Sequence, residues 1–197
     1  MEHPAIKHPY IVSNSGLEVD VANLTPETVS LPDIYHALSN QCRYNGHTNV
    51  FYSVAEHSVL VARMAALAGQ SLETQIAALL HDAHEAYVSD LPSPHKNLVD
   101  GWRGFEACAE DRLREILGLP APWADVWRVV KEFDTAILFR EAKNLFNTAP
   151  RWYNPNEECA VPAELQPIGL SPEDARGEMQ NLHEALLHKL AHQRNNG

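Results

Sequence analysis

Three stretches of this sequence have the apolar spacing of buried α-helices, and each carries ionisable side chains on the stripe that must face the interior. A period of about 3.6 residues places these helices at residues 53–69, 71–88 and 122–147. The polar members are His57, the pair His81-Asp82, and Asp134. Burying such groups is costly unless a cation or several hydrogen-bond donors compensate them. The helices must therefore pack so that these side chains find partners.

We expect an all-α protein, a compact helical bundle with a small N-terminal β-hairpin. The predicted helices span residues 32–41, 53–69, 71–88, 102–118, 122–147 and 171–192. Apolar residues alternate on both sides of Ser13-Asn14-Ser15-Gly16, whose turn-forming residues predict the hairpin. A proline-rich connection crosses the surface between 148 and 170. We divide the chain into an N-terminal segment, 1–30, and one helical domain, 31–197.

Helical geometry groups several of the polar side chains. In a helix over 71–88, His81 and Asp82 lie about 100° apart around the axis. Glu85 follows four residues after His81 and three after Asp82, so the three side chains can converge on one spot. Such a group suits one cation and one adjacent acid or base.

Each polar group also has a simpler interpretation. His57 alone is more often a hydrogen-bonded core histidine, Asp134 alone could cap a loop or pair with an arginine, and His81-Asp82 alone has no specificity. Together, on apolar helices, they favour one shared metal ion. Two imidazoles and two carboxylates suit Co²⁺, Mn²⁺, Zn²⁺, Fe²⁺ or Ni²⁺ better than Mg²⁺. Such an ion lowers the pKa of bound water and screens phosphate charge, which predicts hydrolysis.

Charge and composition argue against several classes of function. The net charge is −11 and lysines and arginines are not clustered, so we expect no nucleic-acid polymer as a partner. Three separated cysteines without a CxxC pair favour a reducing compartment. We find no signal-peptide pattern and no apolar run of about 18 residues, and we therefore predict a cytoplasmic protein without a membrane segment.

The order of these polar residues resembles the H…HD…D pattern of the HD superfamily of metal-dependent phosphohydrolases. The similarity is greatest to the YfbR-type 5′-deoxynucleotidases and to related phage enzymes that hydrolyse dATP, and it covers roughly residues 31–147. Five stretches carry it: Cys42-Arg43-Tyr44, Phe51-Tyr52-Ser53-Val54-Ala55-Glu56-His57-Ser58, His81-Asp82-Ala83-His84-Glu85, Ser89-Asp90-Leu91-Pro92-Ser93-Pro94-His95-Lys96, and Phe133-Asp134 with the later Glu141.

The resemblance implies an HD-type helical domain and a role for several residues. Glu85 would orient or deprotonate the attacking water, and Asp90 would assist the leaving 5′-oxygen. Arg43 and Lys96 would hold phosphate oxygens. Tyr44, which replaces the family's tryptophan, would pack against sugar or base. The implied reaction removes phosphate from 5′-(deoxy)nucleotides by attack of metal-activated water, and it leaves open whether these are mono-, di- or triphosphates.

Several alternatives stay open at this stage. His47, on a predicted loop, is a further candidate substrate contact, and His84 or His95 could support a second metal ion. Rival functions are an HD-type di-iron oxygenase, which needs more histidine ligands, and a non-catalytic nucleotide-binding HD module. The intact acids Glu85 and Asp90 argue against the module. As partners we expect a small-molecule nucleotide and a second copy of the chain, in a homodimer or higher homo-oligomer.

Overall fold

The computed structural model describes residues 10–119 and 123–196, most of which are helical. In chain order the described elements are β1 (Tyr10–Val12), β2 (Glu18–Asp20), α1 (Leu31–Asn40), α2 (Val54–Leu67), α3 (Leu72–Leu79), α4 (Glu85–Val88), α5 (Ser93–Lys96), α6 (Trp102–Ile116), α7 (Trp123–Asn144), α8 (Pro155–Glu158) and α9 (Pro172–Asn196). The predicted all-α class with a small hairpin is confirmed. Residue 122, where we expected the fifth long helix to begin, lies outside the described residues.

The N-terminal hairpin is antiparallel and has the predicted turn. Ile11 pairs with Val19, and Gly16 adopts a φ of 85°, which a residue without a Cβ tolerates. The turn also contacts the bundle, because the backbone N–H of Ser15 donates to Asp33 of α1 at 2.8 Å. Burial would raise the pKa of Asp33, but hydrogen bonds from neighbouring serines outweigh it and lower the pKa.

Helix α2 lies at the centre of the bundle. Every residue from Val54 to Ala62 is buried, and the helix packs against α1, α3, α7 and α9. A helix that is buried on all sides cannot leave its polar side chains to water. Glu56 and His57 must therefore be satisfied by protein groups or ligands. Among the described helices, none combines the length and apolarity needed to cross a bilayer.

The predicted helix at 71–88 is interrupted, and His81-Asp82 lie in the turn between α3 and α4. In a continuing helix the carbonyl of Ala78 would accept the N–H of Asp82. Here the Nδ1–H of His81 donates a hydrogen bond to that carbonyl at 2.7 Å. The turn is closed instead by shorter-range bonds, such as that from the N–H of Glu85 to the carbonyl of Asp82 at 2.9 Å. The prediction of one continuous helix was wrong because it neglected this competition from a side chain.

The connection between α7 and α9 is anchored by two buried carboxylates. Glu158 of the unpredicted short helix α8 pairs with Arg140 at 2.7 Å. Glu56 accepts the backbone N–H groups of Ile168, Gly169 and Leu170 at 2.8, 3.1 and 2.7 Å. The connection is therefore ordered, as expected, and it fixes the start of α9 against α2.

Candidate metal centre

Two histidines point a ring nitrogen at the same small region between α2 and the α3–α4 turn. His57 is fully buried and His81 nearly so, and their ring centroids are 5.3 Å apart. The Nδ1 hydrogen of His57 is donated to Glu141 at 2.6 Å, and that of His81 to the carbonyl of Ala78 at 2.7 Å. Because a carboxylate and a carbonyl can only accept, each Nδ1 carries a hydrogen, and Nε2 is the atom of each ring that could coordinate a cation.

Two carboxylates face these nitrogens. Asp82 places Oδ2 at 3.1 Å from Nε2 of His81 and at 3.8 Å from Nε2 of His57. Asp134, on α7, places Oδ1 at 3.1 Å from Nε2 of His57. One donor atom from each of His57, His81 and Asp82 lies within 4.8 Å of the other two. Asp134 is not part of that group and joins it through its contact with Nε2 of His57. The structure therefore brings three of the four predicted ligands to coordinating spacing, from α2 and the α3–α4 turn, and places the fourth, on α7, beside His57.

The donor set fits a divalent cation. Nε2 of His57 and Nε2 of His81 are both buried, and neither makes a hydrogen bond. A buried polar atom without a partner costs about 1–3 kcal/mol, so two side by side call for an explanation. Imidazole nitrogens and carboxylate oxygens are the ligands that Mn²⁺, Co²⁺, Ni²⁺, Fe²⁺ and Zn²⁺ accept, and one such ion would satisfy both nitrogens.

The two aspartates carry their charge at neutral pH. Burial by itself would raise the pKa of Asp82, but the charges of His81, His57 and Arg43 outweigh burial and hold the pKa well below its usual range. Burial also raises the pKa of Asp134, but contact with His57 and the charges of His57, His81 and Lys131 together outweigh it and bring the pKa well below its usual value. Both groups are therefore available as anionic ligands.

A fully buried carboxylate, Glu141 on α7, supports His57 from the side opposite the cluster. Its Oε1 accepts from Nδ1 of His57 and, at 2.8 Å, from the hydroxyl of Tyr52. Burial would raise the pKa of Glu141, but Arg43 and His57 bring it down to about 2. Burial and the charge of Arg43 lower the pKa of His57, but Glu141 and Asp134 outweigh them and raise it to about 9.

Glu85 and Asp90 are two further acidic side chains whose pKa values are raised by burial and by the charge of Asp82. Glu85 begins α4, is 4 % exposed and leaves Oε2 without a hydrogen-bond partner. Burial, with the charges of Asp82 and Asp90, raises its pKa well above the usual value. Burial likewise raises the pKa of Asp90, which Arg43 opposes and Asp82 reinforces. A divalent cation at the adjacent cluster would relieve this repulsion.

Arg43 links two of the carboxylates. Its guanidinium lies 3.7 Å from Oδ2 of Asp82 and 3.2 Å from Oε2 of Glu141, and its side chain is only 11 % exposed. Arg43 therefore sits beside the cluster, as the sequence implied, and is already held by protein carboxylates.

Lys96 belongs to a second group of polar side chains. Its Nζ lies 2.5 Å from Oε1 of Glu106 on α6, and Nε2 of His84 lies 3.8 Å from the same oxygen. His84, Glu85 and Glu106 could by their spacing hold a metal ion, but the ammonium of Lys96 already supplies this group with a cation. His95, the other candidate for a second metal, is exposed.

Tyr44 and His47 are placed differently from the other candidates. The hydroxyl of Tyr44 donates to Glu141, and its ring stands edge-on to Phe146 with centroids 5.1 Å apart. Both the hydroxyl and the ring of Tyr44 are therefore already in contact with other side chains of the protein. His47 is exposed, and within the described residues no contact connects its side chain to the cluster.

Sequence reasoning gave no role to three residues that contact the site. Tyr52 donates to Glu141, Lys131 lies 2.5 Å from Oδ2 of Asp134, and Glu106 holds Lys96. The position of Lys131, one helical turn before Asp134, was a usable signal. For Glu106 the sequence offered no such signal, because its contact with Lys96 depends on how α6 packs against α5.

Comparisons with known proteins identify the family of the chain. The family model described as "HD domain" matches residues 54–135, a range that begins with α2 and ends just after Asp134. The uncharacterized protein YfdR of Escherichia coli (strain K12) is 34% identical over 136 residues, which cover 69% of this chain and 72% of that protein. The uncharacterized protein RCAP_rcc00048 of Rhodobacter capsulatus is 36% identical over 140 residues, covering 66% of this chain and 70% of that protein.

Proposed function

The chain belongs to the HD-domain family, whose members are in general metal-dependent phosphohydrolases, and from this premise we propose that it removes phosphate from 5′-nucleotides. The observation that supports the proposal most directly is the pair of buried, unpaired Nε2 atoms of His57 and His81 beside the carboxylates of Asp82 and Asp134. Glu85, whose Oε2 has no hydrogen-bond partner, begins α4 directly after the α3–α4 turn, and burial with the charge of Asp82 raises its pKa.

Four residues would hold one divalent cation, for which we favour Co²⁺, Mn²⁺, Zn²⁺, Fe²⁺ or Ni²⁺: His57, His81, Asp82 and Asp134. When bound there, such an ion would supply Lewis-acid chemistry, lowering the pKa of a neighbouring water molecule and screening the charge of the phosphate. Glu85 would accept a proton from the attacking water through the Oε2 that has no other partner.

Asp90 would protonate the leaving oxygen. Burial raises the pKa of Asp90, which favours the protonated form that a general acid requires. Arg43 and Lys96 would orient the phosphate oxygens, Arg43 from beside Asp82 and Lys96 from the end of α5. Both cations are anchored by carboxylates, and a restrained donor loses less conformational entropy when it binds.

The nucleotide as substrate class is supported by sequence similarity alone. The stretches at 42–44 and 89–96 resemble those of 5′-deoxynucleotidases, and they contribute Arg43, Asp90 and Lys96 to the region beside the cluster. We do not assign base stacking to Tyr44, because its hydroxyl and ring are already held by Glu141 and Phe146.

Phosphate release from a panel of nucleotides tests the proposal. We expect 5′-nucleotides to be hydrolysed when Co²⁺ or Mn²⁺ is supplied, 3′-nucleotides to be left intact, and Asp82→Ala to be inactive. Asp100→Ala, in an exposed loop, is the matched control and should keep full activity. No phosphate release from any 5′-nucleotide, with each metal supplied at saturation, would refute the proposed activity.

A further inference from the structure

Glu141 receives hydrogen bonds from four side chains, and its two oxygens serve different parts of the site. Oε1 accepts from Nδ1 of His57 at 2.6 Å and from Tyr52 at 2.8 Å. Oε2 accepts from Arg43 at 3.2 Å and from the hydroxyl of Tyr44. One rigid group therefore contacts a metal ligand on one side and a phosphate-binding candidate on the other.

The bond from His57 to Glu141 has a direct consequence for metal binding. It fixes the hydrogen on Nδ1, so that Nε2 is the atom left to coordinate, and it fixes the plane of the ring. The imidazole makes no other hydrogen bond in the described part of the chain, although Oδ1 of Asp134 lies 3.1 Å from its Nε2. The orientation of the imidazole toward Asp82 and Asp134 thus depends on Glu141.

The hydrogen bonds from Arg43 and Tyr44 to Oε2 of Glu141 have a parallel consequence for substrate binding. Arg43 and Tyr44 lie in a 3₁₀ turn in which Tyr44 and Asn45 adopt left-handed φ angles of 56° and 51°, a conformation that costs non-glycine residues about 1–2 kcal/mol each. Contacts must compensate this cost. Glu141 supplies one to each of Arg43 and Tyr44, and it thereby holds the guanidinium next to Asp82.

Other buried carboxylates of this protein show what a purely structural role looks like. Glu56 accepts only backbone N–H groups of the segment before α9. Glu158 pairs with Arg140 and Lys143 and attaches α8 to α7. All four donors to Glu141, by contrast, are side chains, and two of them are the proposed metal ligand His57 and the proposed phosphate contact Arg43.

We propose that Glu141 is a positioning residue that holds the metal ligand His57 and the phosphate-binding Arg43 in one fixed relation. The proposal rests on the proposed function, since it assumes the metal and phosphate roles of its two partners. It predicts that one substitution at Glu141 changes two measurable quantities, metal affinity and substrate KM.

The experiment compares Glu141→Ala and Glu141→Gln with the wild type. Glu141→Ala should raise the Kd for Co²⁺, followed by visible absorption, about 10–100-fold, and should raise KM about tenfold at saturating metal. The kcat should stay within a few-fold of wild type, because Glu141 does not touch the reacting atoms. Glu141→Gln keeps one acceptor oxygen and turns an NH₂ group toward the other pair of donors, so at least one of the two quantities should change.

Glu158→Gln is the matched control, as a second buried carboxylate with charged partners. It should lower the melting temperature and leave the Kd for Co²⁺ and KM unchanged. Unchanged Kd and KM in Glu141→Gln, or equal changes in Glu158→Gln, would overturn the inference. If the wild type binds Co²⁺ but releases no phosphate, the proposed function fails, while weaker Co²⁺ binding by Glu141→Gln would still support Glu141 as the residue that positions His57. If the wild type binds no metal, both fail.

Discussion

Added metal should raise the stability of this protein by an amount that can be calculated. The ligands come from α2, the α3–α4 turn and α7, so the unfolded chain does not present them together and the ion binds the native state alone. At a free metal concentration of about 100 times Kd, linkage gives about 2.7 kcal/mol of added stability. For a chain of 197 residues, each kcal/mol shifts the melting temperature by about 2–4 °C. The expected increase is therefore roughly 5–11 °C.

The assay is thermal unfolding of chelator-treated protein, followed by circular dichroism, with Co²⁺, Mn²⁺, Zn²⁺, Ni²⁺ and Mg²⁺ added in separate titrations. Asp82→Ala removes an oxygen that faces both histidines, so its melting temperature should no longer respond to metal at the same concentration. Asp100→Ala, in an exposed loop, should respond like the wild type. Identical melting temperatures of the wild type with and without every metal would refute the coordination cluster. An equal increase in Asp82→Ala would show that the ion binds elsewhere.

Three further predictions address the proposed base, the backbone before α9 and a buried histidine. Glu85→Gln should keep its affinity for Co²⁺ and lose about 10²–10⁴-fold in kcat, the usual contribution of a general base; unchanged turnover would contradict that role. Gly169→Ala should lower the free energy of unfolding in urea by about 2–4 kcal/mol, because Gly169 has a φ of 75° and a Cβ would lie 2.5 Å from Val50. Gly177→Ala, where a Cβ meets nothing within 4 Å of α9, should instead stabilise by about 0.5–1 kcal/mol, and similar losses at both glycines would count against the argument. Burial lowers the pKa of His183, so the unfolded chain takes up this proton at higher pH than the folded one, and stability should fall as the pH drops below about 6.5. Urea unfolding at pH 8 and pH 5 should show a smaller loss in His183→Gln than in the wild type, and equal losses would disprove this assignment.

Much of the candidate site was accessible from the sequence because its ligands lie on segments whose apolar period is strong. The stripes around His57 and Asp134 show which way those side chains face, and the structure places His57 beside both Asp82 and Asp134. The wrong expectation concerns the local backbone, since the helix at 71–88 ends at Leu79. Convergence of His81, Asp82 and Glu85 was thus predicted from a helical geometry that this turn does not have.

Residues that support the ligands were harder to foresee. Glu141 lies seven positions after Asp134 on α7, on the same helical face, but nothing in the spacing shows that it receives donors from 43, 44, 52 and 57. Those contacts depend on how the 3₁₀ turn packs against α7. The pairing of Lys96 with Glu106 depends in the same way on the packing of α6. Short-range periodicity determines which face is buried, but long-range contacts determine which buried groups meet.

The charges around the site explain how an acidic chain can attract a phosphorylated substrate. Each cation that we have described near the cluster already has a carboxylate partner: Arg43 with Asp82 and Glu141, Lys131 with Asp134, and Lys96 with Glu106. These pairs leave little net positive charge for a phosphate, and the net charge of −11 works against binding. An additional positive charge is therefore needed, and a divalent cation held by His57 and His81 together with Asp82 and Asp134 would supply it. Metal binding and substrate binding should accordingly be coupled, because the ion would neutralise Asp82 and Asp134 and free the donors of Arg43 and Lys131 for the phosphate oxygens.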